Sequence, residues 1–347
     1  MFSSRRDLLV PTVTILAVFA VVGFMGQGAG TKSGSGGKPE IRLAYFPNVT
    51  HAPAIIGVGK GMWADRLSDY HLTSKMVNAG PEAMEALMAN ELDFSFVGPS
   101  PAINAYLKSK GKALRVISGA CLGGASLIRR GDVQINSIKD LDGKRVAVPQ
   151  AGGTQDVSCR HFLAANGLKA KDQGGTVEIV AVKNPDILAL FKQKHLDAAW
   201  VPEPWAARIK KDAGAKTVVD ERDLWPDRKF CTTLLVVRKA FADSHPDVVD
   251  LVLTAHLATL DWMRDHADEA RRVLNAELKR LSGKRLPNSV LNEAWGKVTF
   301  TADPDPGSID AFAQDAYEAG YLKEAHPNLT GMMDSRTLKH GARTARR

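Results

Sequence analysis

The sequence predicts an α/β protein with parallel sheets in more than one domain. Three observations carry this expectation. Short apolar runs alternate with amphipathic helical patterns along most of the chain, which is the pattern of βαβ units. The length of 347 residues exceeds the usual size of one domain. A composition of 44% hydrophobic and 24% charged residues is that of an ordinary globular protein, so wholly disordered, collagenous and coiled-coil chains are excluded.

Taken in order, Ile41 to Phe46 reads as a strand, and Pro53 to Trp63 as a helix with Pro at its start and one apolar face. Pro81 to Asn90, with Met84, Leu87 and Met88 at helical spacing, is an amphipathic helix. Strand Phe94 to Val97, helix Pro101 to Ser109 and strand Leu114 to Ser118 follow, then strand Leu127 to Arg129. Residues 138–144 form a turn-rich lead into strand Arg145 to Val148 and helix Gln155 to Asn166. Strand Val177 to Val182, helix Asp186 to Lys192, strand Ala198 to Val201 and helix Pro204 to Lys211 continue the alternation. From Asp247 onward the pattern is mostly helical, and no repeat of 20–50 residues interrupts it.

The formal charge of +8 suggests a nucleic-acid partner until it is divided along the chain. Residues 1–28 carry +1 and residues 331–347 carry +4, which leaves +3 for the body. No basic face with interleaved aromatics stands in that body, and the basic residues from Arg271 to Arg285 fall at the spacing of a solvated helix face, so no nucleic-acid partner is expected. The basic tail, 331–347, is expected to be disordered.

The N-terminus reads as an export signal. Arg5 and Arg6 precede an uncharged, mainly apolar run from Leu8 to Met25, followed by small residues from Gly26 to Gly30. At 18 residues the run also approaches the length of a membrane span, so residues 1–28 are read as a signal peptide or an anchor. Residues 29–38, rich in Gly, Ser and Lys, read as a flexible linker. The expected location is periplasmic or otherwise extracytoplasmic, with a membrane tether if the segment is retained.

Three strand-to-helix junctions carry the chemistry: Pro47 to Pro53, Gly98-Pro99-Ser100-Pro101, and Gln150 to Gln155. Each places small or hydroxyl residues where a helix begins at the carboxyl end of a strand, which is where open α/β sheets bind ligands. Free N–H groups and the positive end of the helix dipole make such junctions anion sites. Ser100 and Thr154 fit simple helix caps equally well one junction at a time. Three together, with Gly123-Gly124-Ala125-Ser126, point to a shared anion-binding cleft.

Enzymatic signatures are absent. Gly57 to Gly61 fails the phosphate-loop pattern at both ends, with Ala54 in place of its first Gly and Gly61 in place of Ser or Thr. Cys159 and His161 stand at i and i+2 on a helix and face apart. Cys121, Cys159 and Cys231 have no paired spacing, and His51, His71, His161 and His195 sit in unrelated contexts, so no metal and no cofactor are expected. The cysteines are read as small buried hydrophobes.

Tyr45 to Pro53, Gly98 to Ile103, Pro149 to Asp156, and above all Ala198-Ala199-Trp200-Val201-Pro202-Glu203-Pro204-Trp205 resemble the aliphatic-sulfonate, taurine and nitrate group of ABC-transporter substrate-binding proteins. The likeness runs from about Ile41 to Tyr321. It implies a type II periplasmic-binding fold, two α/β lobes with a ligand cleft between them. Lobe one would be residues 39–127 with 237–330 and lobe two 128–236, the chain crossing near Ala125 to Arg130 and again near Thr232 to Arg238. The implied function is capture of a small organic anion, an aliphatic sulfonate or taurine before others, by lobe closure. A monomer would then deliver it to an ABC permease and ATPase complex.

Nitrate, bicarbonate and aminopyrimidines stand as alternative ligands, because the group also includes binders of thiamine precursors. An anchored extracytoplasmic sensor is the alternative role. The enzymatic pyrimidine-synthase branch has a cysteine-rich motif that this chain does not match. On this reading the ligand contacts are His51 and Ser100 from lobe one, and Gly153, Thr154, Gln155 and Glu203 from lobe two. Trp205 would cover an alkyl portion or belong to the core. A carboxylate repels a simple anion, so Glu203 either meets a ligand that also carries a cation or points into the lobe.

Overall fold

The computed structural model describes residues 37–336. The expected export segment, most of the linker and residues 337–347 of the tail lie outside the described residues. Among these, no helix is long and apolar enough to cross a membrane.

The chain opens with β1 (Glu40–Tyr45), a 3-10 turn at Val49–His51, α1 (Ala52–Gly59), α2 (Met62–Arg66), β2 (His71–Met76) and α3 (Gly80–Met88). Next come β3 (Phe94–Val97), α4 (Pro99–Lys108) and β4 (Leu114–Gly123). The following elements are β5 (Ala125–Arg129), β6 (Arg145–Val148), α5 (Thr154–Ala165), β7 (Glu178–Ala181), α6 (Asn184–Lys192), β8 (Ala198–Pro202), α7 (Trp205–Ala213) and β9 (Lys216–Asp220). The chain ends with β10 (Cys231–Arg238), α8 (Lys239–Ser244), α9 (Pro246–Asp265), α10 (Ala267–Ser282), α11 (Asn288–Trp295), β11 (Val298–Phe300) and α12 (Pro306–Glu318).

Two sheets result, of order β11-β4-β10-β3-β1-β2 and β7-β6-β8-β5-β9. Each is covered by helices and carries apolar clusters on both faces. The protein is therefore of α/β class, with two lobes. β3 and β8 are buried at every residue, which explains why β8 reads as a continuous apolar run; in β3 the buried Ser95 hydroxyl donates to the Phe96 carbonyl at 3.1 Å.

The sheets are not purely parallel, contrary to the expectation. β1 pairs in parallel with β2 and β3, and β6 with β7 and β8. β10 runs antiparallel to β3 and β4, and β5 antiparallel to β8 and β9. The antiparallel strands flank the two passages between lobes, so each enters its sheet from the neighbouring lobe rather than through a crossover helix.

The lobe boundaries shift as well. Ala125 to Arg129 pairs only within the five-stranded sheet and Cys231 to Arg238 only within the six-stranded one. The passages therefore fall at Gly124 and between 221 and 230, earlier than the expected changes after 127 and 236. Gly123 and Gly124, at φ +72° and +79°, supply the first passage, a consecutive left-handed pair that other residues adopt at a cost.

The beginning of the expected disordered tail is part of lobe one. Met332 is fully buried in a cluster with Val116 and Phe312, its carbonyl accepts from the Val116 N–H at 2.8 Å, and Arg336 pairs with Asp250 at 3.0 Å. Lobe one thus extends past 330. Met332→Ala is expected to cost about 2–5 kcal/mol of stability. Ending the chain after 336 should leave the melting temperature unchanged, whereas ending it after 330 should lower it by a similar energy. Calorimetric melting of the two truncations checks this.

Candidate functional site

Four helix starts converge on a cavity between the lobes. Gly80 at the start of α3 and Gly98 before α4 come from lobe one; Gly153 and Thr154 at the start of α5 and Asn184 at the start of α6 come from lobe two. None of these starts is capped by its own side chain. The first N–H groups of each helix lack intrahelical acceptors, and the four dipoles present their positive ends to one space. The enclosed volume is about 40 Å³, room for a few non-hydrogen atoms.

The wall holds no Asp, Glu, Lys or Arg. Its side chains are neutral donors and acceptors, among them Asn48, Asn78, Gln150, Gln155 and Thr232, with Phe46 and three prolines as the apolar part. His51 belongs to it and is also neutral. Burial pushes its imidazole down to about 3. It stacks on Phe46 at 4.2 Å between centroids, and the Phe46 N–H points to Nδ1 at 3.4 Å, which assigns the ring proton to Nε2 as a donor.

Buried polar atoms without hydrogen-bond partners concentrate here. Ser100 Oγ, Gln150 Oε1, Thr154 Oγ1 and Asn184 Oδ1 are all in this condition. An unsatisfied buried polar group costs about 1–3 kcal/mol; on the wall, the Thr154 hydroxyl can donate to an occupant, whereas Gln150 Oε1 and Asn184 Oδ1 accept from a donor. Ser100 itself stands just behind the wall, between Gly98 and Pro101.

Gly98 brings the lobes together. A Cβ built on it would fall on the Thr154 hydroxyl across the cleft, so only glycine allows this approach. On the rim, the Trp205 indole N–H donates to Asn48 Oδ1 at 3.0 Å. Trp205 is not on the cavity wall; its contact is a bridge between lobes.

Glu203 is also off the wall. It is fully buried behind Pro202, where Oε2 accepts from the Ala207 N–H at 3.1 Å and Oε1 lies 3.3 Å from Lys297 Nζ of lobe one. Burial pushes its carboxyl up, against the pull of Lys297. Its role here is an internal ion pair beside the hinge, with its own N–H donating to Gly124 O at 2.8 Å. Gly123 and Gly124 likewise form the passage rather than a ligand junction.

Of the expected residues, His51, Gly153, Thr154 and Gln155 share the cavity wall. Asn48 and Gln150 lay within quoted motifs and were passed over. Gly80, followed by Pro81, and Asn184, followed by Pro185, were missed; the small or polar residue before a helix-initial Pro is the signal that finds them. The three cysteines are free and buried, and burial pushes each thiol up.

Residues 34–277 match the model of the NMT1-like family. The chain is 28% identical over 284 residues to a Bacillus subtilis (strain 168) protein named for aliphatic sulfonates binding, covering 80% of this chain and 82% of that one. It is 27% identical over 237 residues to the taurine-binding periplasmic protein of Escherichia coli (strain K12), covering 68% and 67%. In structure it is similar to an alkanesulfonate-binding protein of Xanthomonas axonopodis pv. citri bound to MOPS, with a TM-score of 0.71, 16% identity, and coverage of 86% and 99%. That last likeness is one of fold, the periplasmic-binding-protein fold.

Proposed function

Because the chain belongs to the NMT1-like family, we propose that it is an extracytoplasmic solute-binding protein of an ABC importer that captures a small organic anion by lobe closure. The observation that carries this reading is the uncharged cavity where four helix starts and the unpartnered Thr154 hydroxyl meet. The relatives named for sulfonates and taurine support the ligand class.

Capture follows from the geometry. The anion head accepts from helix-start N–H groups, from the Thr154 hydroxyl and from His51 Nε2–H. Neutral donors satisfy it without burying a competing cation, whose own desolvation would oppose closure. Ligand bridging the starts of α4 and α5 favours the closed over the open arrangement by its differential contacts with the two. A membrane permease and its ATPase then receive the solute from the closed form.

With Glu203 engaged by Lys297, no carboxylate on the wall greets an ammonium group, so a simple alkanesulfonate suits the site better than a zwitterion. Ethanesulfonate is expected to raise the melting point by mass action more than taurine, nitrate or an aminopyrimidine at equal concentration. A thermal-shift series with calorimetry reads this, and no shift from any small anion would sink the reading. Glu203→Gln should lower stability by about 1–3 kcal/mol, less than the usual loss for a broken buried pair because Lys297 keeps Glu293 at 3.8 Å. Its effect on ethanesulfonate and taurine affinities should be equal; a selective loss for taurine in calorimetry would return Glu203 to the ligand.

A further inference from the structure

The contact between α5 and α12 joins the two lobes through charge. α12 packs Ile309, Phe312 and Ala316 into the core of the six-stranded lobe, while α5 belongs to the five-stranded one. Where they meet, His161 Nδ1 lies 2.9 Å from Asp315 Oδ1 and 3.5 Å from Glu318 Oε2. One ligating atom of each residue falls within 4.8 Å of those of the other two. The i,i+3 spacing of Asp315 and Glu318 puts both carboxylates on one face of α12, and Phe162 packs edge-on to the imidazole at 4.8 Å.

A plain ion pair leaves this arrangement incomplete. His161 Nδ1 is buried between the Asp315 and Glu318 carboxylates, so one imidazolium would face two carboxylates. The Asp315 side chain is 6% exposed, and His161 is the one cation paired with it among the described residues.

We propose that His161, Asp315 and Glu318 form a site for a borderline divalent transition metal, zinc being the model ion, that ties the two lobes together across α5 and α12. One imidazole and two carboxylates are a zinc-type donor set, and bonds of about 2.0–2.2 Å in a tetrahedron set ligand atoms about 3.3–3.5 Å apart. The two imidazole–carboxylate separations, 2.9 and 3.5 Å, bracket that edge, and the two carboxylate oxygens lie within 4.8 Å of each other. With His161 28% and Glu318 44% exposed, the ion has a path from solvent and a fourth position for water. The site is outside the anion cleft and does not depend on the ligand reading above.

Titration calorimetry of the full chain with zinc chloride is expected to give one site in the micromolar range. His161→Ala and Asp315→Asn should each weaken it at least tenfold, and so should Glu318→Gln, an exposed position whose substitution leaves the fold intact. His195→Ala is the control and should change nothing. Cobalt(II) should give the visible spectrum of a four-coordinate nitrogen and oxygen site in the wild type and lose it in His161→Ala. Zinc that binds the Glu318→Gln and His161→Ala variants as tightly as the wild type, or no binding below about 100 μM in the wild type, overturns the proposal.

Discussion

Gly98→Ala is expected to lower affinity for an alkanesulfonate by about 10- to 100-fold while leaving the unliganded protein's melting point within a degree or two. The added Cβ meets the Thr154 hydroxyl of the opposite lobe, and neither group can yield easily. Thr154 is β-branched, fixed at the first turn of α5, and 5% exposed; Gly98 is held between β3 and α4. Overpacking of this kind costs about 1–3 kcal/mol, and only the closed arrangement incurs it. If capture works by lobe closure, open lobes hold the two groups apart, and the penalty enters the binding equilibrium rather than the folding one. Small-angle scattering should show that saturating ethanesulfonate contracts the wild type and contracts Gly98→Ala only at much higher concentration. The double variant Gly98→Ala, Thr154→Ala removes the colliding oxygen and should regain contraction. Wild-type affinity in Gly98→Ala would mean that the lobes bind ligand without approaching as closely as they do here.

What the sequence conveyed was the chemistry of helix starts, and what it withheld was the company those starts keep. The junctions at 47–53, 98–101 and 150–155 were legible because Gly, Pro and hydroxyl residues before an amphipathic run have a local physical meaning. β3 and β8 were legible as short apolar runs. β2, which reads His71-Leu72-Thr73-Ser74-Lys75-Met76, was not; it is an edge strand with polar, partly exposed residues and pairs only with β1. β9 and β11 share that edge character. β10 was foreseen only as a passage between lobes, because no local signal distinguishes a strand that continues a sheet from one that crosses to it.

The site showed the same division. The place of Thr154 and His51 on the cavity wall is legible from their junctions, but the pairing of Glu203 with Lys297 spans 94 positions, and nothing in residues 198–205 announces it. Trp205 is similar, since its partner Asn48 is 157 positions away. The tail was misjudged for a related reason. Its basic composition concealed Met332, whose burial depends on an opening beside Val116 that only the assembled lobe provides.

Thr154→Asp places the sharpest demand on the anion reading. Thr154 begins α5, its hydroxyl is buried without a partner, and it faces the cavity. A carboxylate at that position favours the helix itself, because a negative charge near an N-terminus contributes about 0.3–1 kcal/mol. The fold should therefore hold or gain slightly in the absence of ligand. An anion in the cavity would meet a like charge at about 4 Å, a repulsion on the order of 4 kcal/mol at an effective dielectric of 20, which corresponds to roughly a thousandfold loss of affinity. Thr154→Ser, which keeps the hydroxyl, should stay within about tenfold of the wild type. Calorimetry with ethanesulfonate, alongside melting curves of the free proteins, separates the two effects. A Thr154→Asp protein that folds and still binds ethanesulfonate like the wild type would place the anion away from α5 and remove the start of that helix from the site.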